Sequence, residues 1–398
     1  MHHNSKINSL HPILIFIVLF IRLHSELAEN NIVFLSAIFI SIIGIAMLWA
    51  EKIRLNFYTK WQLLFYIYYA ISMLWADDPN MTRINLIATF GRCIIMLYIS
   101  LYVSDISRIK KVMDIYIYVL LIVQVYIYLF KGLTYITHLR DDDLLTTTSW
   151  NANGIGMSVA FGIFYIYYIY SFFKEQITNS QQMIYRFYVV LGLVTIMMTG
   201  SKKALFEVFI LIIGLYFFTH ERRKILTVLA VVVIVPIIYI AILKIPILYN
   251  IMGHRVEEFV LALTGEASYN ASDRTRDYLI QRGIEWFKLK PWLGHGMACF
   301  KSLYVAETQS DRALYAHNNY IEIAVGGGMV GILVYYWGYL KIIIKGIKSA
   351  KYAKAFILTT MIAILILEYG LVSYLMEMIN LPLIICLALI EYSKETEA

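Results

Sequence analysis

Long apolar runs recur along the chain, separated by short polar breaks. They fall at about residues 11–23, 31–50, 61–76, 84–103, 112–130, 152–173, 184–200, 203–219, 225–243, 317–340, 353–372 and 378–391. A helix crossing a bilayer core needs about 20 apolar residues, so the pattern predicts an all-α polytopic membrane protein of about twelve transmembrane helices. Several runs fall short of full length. No small-residue cleavage site follows the first run, which therefore reads as a retained span and not as a removed signal peptide.

One polar break is far longer than a turn. Residues 244–316 carry 9 Lys/Arg and 8 Asp/Glu together with the apolar anchors Trp286, Phe287 and Trp292. That mixture suits a small folded cap and not a disordered tether. Within it, Thr275 to Leu289 predicts an amphipathic helix with Leu279, Trp286 and Phe287 inward, stopped by Pro291. The chain thus divides into nine spans over 1–243, a cap over 244–316, and three spans with a C-terminal tail over 317–398.

Composition agrees: 60% of residues are hydrophobic and 15% charged, with a mean hydropathy of +0.67. The placement of charge matters more than the net +7. With the N-terminus inside, the cytoplasmic breaks hold 18 Lys/Arg and the short external breaks hold 6. This positive-inside bias puts both termini in the cytoplasm and the cap outside. Cys93 and Cys386 lie within apolar runs and Cys299 in the cap, a distribution that predicts no disulfide. No Cys/His group has zinc spacing, and no P-loop or dinucleotide fingerprint occurs. The 32 tyrosines are read as packing and interface residues.

Four external features carry candidate chemistry. These are Arg274 and Arg276 before the cap helix; Pro291-Trp292-Leu293-Gly294-His295-Gly296 after it; His317-Asn318-Asn319-Tyr320 at the head of the tenth span, followed by Gly326-Gly327-Gly328 and Gly331; and Thr199-Gly200-Ser201-Lys202-Lys203 between spans seven and eight. Arginine forks match phosphate oxygens, lysines add point charge, and histidine moves protons near neutrality. Such a set suits deprotonation of an acceptor and stabilisation of a departing pyrophosphate, with no metal or other cofactor. Each group also has a structural reading. The arginines can pair with Asp273 and Asp277, the lysines can anchor span ends, His317 can cap a helix, and the glycines can be close-packing positions between helices. Asn151-Ala152-Asn153 reads as a helix cap.

The order and spacing of these motifs resemble the O-antigen ligase/polymerase superfamily. That family shows an arginine, about fifteen residues to a Pro-hydrophobic-hydrophobic-Gly-x-Gly turn, then His-Asn-x-Tyr and Gly-hydrophobic-hydrophobic-Gly. The spacing to Pro291 selects Arg276 over Arg274. Asn151-Ala152-Asn153 and Thr199-Gly200-Ser201-Lys202 resemble two further family stretches. Ser201-Lys202 stands where the family often has Ser-Arg, and Ile280 where it often has Trp. The resemblance covers about residues 150–340.

It implies a C-type glycosyltransferase of the bacterial inner membrane, acting on its extracytoplasmic face. His317 would deprotonate or orient the acceptor. Arg276, with Arg274, Lys202 and Lys203, would hold the pyrophosphate. The implied activity is a Wzy-type polysaccharide polymerase that moves a glycan from undecaprenyl pyrophosphate to another lipid-linked repeat unit. The rival is a ligase delivering the glycan to lipid A–core, and a third reading is a transporter of lipid-linked sugars. Implied partners are membrane lipid, the lipid-linked oligosaccharide, a flippase and a chain-length regulator. Nucleic acid is not among them. Arg92 and Glu368 are the charges that would favour transport, since they fall inside apolar runs.

Overall fold

The computed structural model describes residues 2–24, 27, 30–132, 135, 152–246, 249–253, 256–257, 260–261 and 271–392. Asn151, and two of the basic residues behind the charge bias, Arg140 in an external break and Lys394 in the C-terminal tail, lie outside the described residues. All regular structure among the described residues is helical. In chain order the α-helices are α1 His2–Leu23, α2 Asn31–Ala50, α3 Phe57–Ile71, α4 Pro79–Tyr102, α5 Ile106–Tyr126, α6 Ala152–Phe172 and α7 Asn179–Thr199. They continue with α8 Lys202–Thr219, α9 Lys224–Lys244, α10 Ala271–Leu289, α11 Phe300–Thr308, α12 Asn319–Ile347, α13 Lys351–Leu367 and α14 Glu377–Tyr392.

Every apolar run is therefore helical. Among the described residues, seven helices are long and apolar enough to cross a membrane by themselves: α2, α4, α5 with its π-helical extension to Lys131, α6, α7, α9 from Ile225, and α12. The shorter members include α3, α13 and α14, with 15, 17 and 16 residues. The last of these packs against α3, α4, α5, α6, α12 and α13 and is buried along most of its length. By contrast, α9 leaves most of its apolar surface exposed. Apolar exposure on a helix of this length is the signature of contact with lipid tails.

Tyrosines fill much of the interior. Tyr58, Tyr69, Tyr98, Tyr116, Tyr165, Tyr185 and Tyr339 are all fully buried. Some of their hydroxyls tie helices together: Tyr116 donates to the Ser158 carbonyl at 3.0 Å and Tyr185 to Asp114 Oδ1 at 2.5 Å. Interhelical hydrogen bonds of this kind matter most where water is absent.

The cap helix α10 begins four residues before the expected Thr275 and runs to Leu289 as expected. Leu279 and Trp286 are buried, whereas Phe287 is only half-buried. Their partners are Phe300 of α11 and Val325 of α12, which form a small apolar cluster with Ala316. Across the same face, Glu307 of α11 accepts from Trp286 Nε1 at 3.2 Å and pairs with Arg282.

The glycines of α12 do more than allow helices to approach. Gly328 has φ +60° and ψ −160°, so α12 is two helical segments joined at a break. Turn 291–297 docks into that break. The amides of Met329 and Val330 donate to the carbonyls of Pro291 and Trp292 at 2.8 and 3.2 Å, and the His295 amide donates to the Val325 carbonyl at 2.8 Å. A Cβ on Gly328 would lie 2.5 Å from the Trp292 carbonyl. The expectation of helix–helix packing is thus corrected for Gly326 and Gly328, which receive a turn of the cap, and holds for Gly327 and Gly331, which lie against Tyr68 of α3.

Candidate active site

His317 is set by the local chemistry of a helix start. Asn318 is the N-cap of α12, its Oδ1 accepting the Ile321 amide at 3.1 Å. One turn on, Glu322 reaches back and accepts the buried Ala316 amide at 2.9 Å. Between these two bonds His317 takes φ +51°, a left-handed conformation that a side-chain-bearing residue holds only when its surroundings demand it. Its ring lies on Tyr315 with centroids 3.9 Å apart.

The helix start is pinned from behind. The Asn319 amide donates to the Glu368 carbonyl at 2.9 Å, and Asn319 Oδ1 accepts the Ser373 amide at 3.0 Å. The Glu368 carboxylate accepts from the hydroxyls of Tyr339 at 2.6 Å and Tyr336 at 2.9 Å, and from Ser373. Glu368 is fully buried and satisfied by this cluster. The charge that sequence alone offered as a transport residue is here a strut beneath His317.

The turn between α7 and α8 arrives on the same support. Gly200 closes α7 at φ +56°, and Ser201 caps α8 by accepting the Ala204 amide at 3.2 Å. Ser201 Oγ also donates to Asn153 Oδ1 at 2.6 Å, which joins two of the stretches singled out in the sequence. Lys203 donates to the Gly370 carbonyl, in the connection that also carries Glu368 and Ser373.

Burial first, then the cationic groups of Arg276, Lys203 and Lys301, lowers the His317 pKa from the ordinary imidazole value to about 3. Hence α8, α10 and α11 each bring one cation to bear on one histidine. Arg276 is half-buried on α10, whereas Arg274 is exposed. Lys202 is half-buried at the first position of α8, and it is its neighbour Lys203 that acts on His317. Sequence reasoning missed Lys301, which has no motif around it. Burial lowers its pKa, opposed by the Glu322 carboxylate, and its ammonium lies 5.9 Å from the Tyr315 ring centroid.

His295, the variable position of the glycine turn, has a different job. Its Nδ1 lies 2.6 Å from Asp77 Oδ2 and its Nε2 2.8 Å from the Trp286 carbonyl, while Lys290 also pairs with Asp77. Burial raises the Asp77 pKa, but its bonds to Lys290 and His295 outweigh that and hold it below the usual carboxylate value. His295 therefore clasps the cap to the α3–α4 connection.

Residues 187–336 match the family model described as O-antigen ligase. That stretch contains Lys202, Lys203, Arg276, Lys301 and His317, and the match supports the O-antigen ligase/polymerase superfamily for this chain. Members of the family are membrane glycosyltransferase-like enzymes that act on lipid-linked oligosaccharides. The family and the apolar helices together point to a multi-pass membrane protein. Comparison with curated proteins finds no match.

Proposed function

We propose that this chain is a polysaccharide polymerase of the bacterial inner membrane, a C-type glycosyltransferase that transfers a glycan from undecaprenyl pyrophosphate to a sugar hydroxyl of another lipid-linked repeat unit. The observation that supports it most is the convergence of Arg276, Lys203 and Lys301 on His317. In this reading twelve helices span the bilayer, both termini are cytoplasmic, and residues 244–316 cap an extracytoplasmic site.

In the reaction, the acceptor hydroxyl oxygen attacks the anomeric carbon as the bond from that carbon to the pyrophosphate oxygen breaks. The hydroxyl proton passes to a neutral His317 ring nitrogen. Negative charge grows on the departing pyrophosphate and is met by Arg276, Lys203 and Lys301; fixed charges stabilise such a leaving group without reorganising. In this reading Lys202 and Arg274 add positive charge that attracts the pyrophosphate. At rest burial, and after it the three cations, make His317 a weak base. A bound pyrophosphate offsets them and raises its basicity, so proton acceptance is coupled to the presence of donor.

The ligase reading has its own support, since the matching family carries that description. Purified protein given a lipid-pyrophosphate-linked repeat unit, without lipid A–core, separates the two. A ladder of multimers that is lost in Arg276→Ala is the expected result. Transfer seen only when lipid A–core is added would establish the ligase instead, and wild-type activity in both Arg276→Ala and His317→Ala would remove the site.

A further inference from the structure

The connection after α3 and the turn after α10 meet in an apolar ledge on the surface. Leu74 is 85% exposed, Leu289 73% and Trp292 72%, and Leu293 beside them is also exposed. Ordered backbone holds these side chains outward. Trp75 Nε1 donates to the Leu293 carbonyl at 2.9 Å, and the amides of Met329 and Val330 hold the carbonyls of Pro291 and Trp292. The ledge is therefore built in one piece with the end of α3 and the break in α12. A tryptophan and three leucines turned outward together mark a contact surface.

The ledge continues two apolar stripes. On α3, Leu64, Ile67 and Ile71 are exposed at helical spacing and run into Leu74. On α12, Met329, Leu333, Trp337 and Leu340 are exposed in the same way, and the stripe begins at the residue whose amide holds Pro291. Because α12 is long and apolar enough to cross a membrane, its exposed stripe faces lipid tails. Depth follows from the helix rise. Lys345, exposed in the last turn of α12, marks one boundary of the hydrocarbon core. From there to Gly328 the helix rises about 26 Å at roughly 1.5 Å per residue, against a core about 30 Å thick. Tilt only shortens that height. Trp292 and Leu293, docked at Gly328, thus lie at or below the opposite boundary of the core.

We propose that the ledge of Leu74, Leu289, Trp292 and Leu293 is a lipid-docking surface, a wedge of the cap seated among the acyl chains of the adjoining leaflet. The Trp292 indole then lies at the level where tryptophan anchors proteins to headgroups. The partner is the bilayer itself, and the inference needs only that α12 spans it. Under the polymerase reading the wedge also sets the depth of the site: α10, which brings Arg276 toward His317, ends at Leu289, and the turn that follows is the one clasped by His295.

Spin labelling of the full-length protein tests this, in nanodiscs of phosphatidylethanolamine and phosphatidylglycerol. Native thiols give little background because Cys93, Cys299 and Cys386 are buried. Nitroxides placed by Trp292→Cys and, separately, by Leu74→Cys would be compared with two references. These are Leu333→Cys on the lipid-facing stripe and Asp311→Cys on the exposed link between α11 and α12. Neither ledge substitution removes a buried side chain, so the fold is kept. Both ledge labels should collide with oxygen in preference to a water-soluble nickel chelate, as the Leu333 label does and the Asp311 label does not. Preference for the chelate at either ledge position overturns the docking surface. Low collision with both reagents means that protein covers the ledge, such as a second copy of the chain, and overturns the lipid assignment. A Leu333 label that itself prefers the chelate removes the spanning of α12 and the inference with it. No outcome depends on glycan transfer, so failure of the polymerase reading is a separate result.

Discussion

Replacing Glu322 by leucine separates a turn held for catalysis from one held for folding. Glu322 is 5% exposed and accepts the amide of fully buried Ala316. Leucine fills comparable space without an acceptor and strands that N–H. A stranded buried donor costs about 1–3 kcal/mol. His317 already holds φ +51°, a region that costs an ordinary L-residue roughly 1–2 kcal/mol, so the turn has a lower-energy shape available once the bond is gone. A loss of about 1.5–3 kcal/mol in positioning corresponds to roughly 10- to 150-fold in rate. Initial rates of glycan transfer in proteoliposomes, at matched protein amounts, would be compared for Glu322→Leu, Glu322→Gln, His317→Ala and the His317→Ala/Glu322→Leu pair. Glutamine keeps a neutral acceptor and should recover most of the rate. The double variant should fall no further than His317→Ala, because Glu322 acts through His317. A wild-type rate in Glu322→Leu refutes the reasoning, as do losses that add in the double variant.

Two further outcomes follow from the same geometry. With the His317 pKa lowered to about 3, the pH profile of kcat/KM should show no limb from this residue between about pH 6 and 7. The unfolded chain binds a proton at this histidine below its ordinary pKa, whereas the folded chain does not until far lower pH. Its contribution to stability is therefore present above about pH 6.5 and lost as pH falls toward 3; a thermal-unfolding series in which His317→Gln follows the wild-type acid slope would contradict this. Gly328→Ala should lower the melting temperature and reduce transfer together, because its Cβ meets the Trp292 backbone at 2.5 Å in a left-handed conformation. Unchanged thermal unfolding would show that the turn does not dock as described.

Much of the architecture is legible in the chain because membrane helices must satisfy their own backbones and therefore leave continuous apolar runs. The α10 helix is legible for a related reason: Leu279 and Trp286 repeat at helical spacing and are the residues found buried. The break at Gly328 is not. Three consecutive glycines fit close helix packing as well as a helix interruption, and only the arrival of Pro291 and Trp292 carbonyls decides between them. Lys301 is invisible for another reason. It lies on a nine-residue helix whose orientation depends on Phe300 packing against Trp286, a contact between distant parts of the chain.

The choice between Lys202 and Lys203 shows where local pattern stops. The motif points to the lysine directly after Ser201. Yet successive residues on an α-helix diverge by about 100° around its axis, so two adjacent lysines cannot serve one site equally. Which of them turns toward His317 is decided where the first turn of α8 meets the α13–α14 connection. There Lys203 finds the Gly370 carbonyl, and the same connection anchors Asn319 through Glu368. That carbonyl is more than 160 residues away in sequence and has no side chain to signal it. A backbone acceptor thus sets the identity of a cation in the site, and Lys203→Ala should weaken transfer more than Lys202→Ala for that reason.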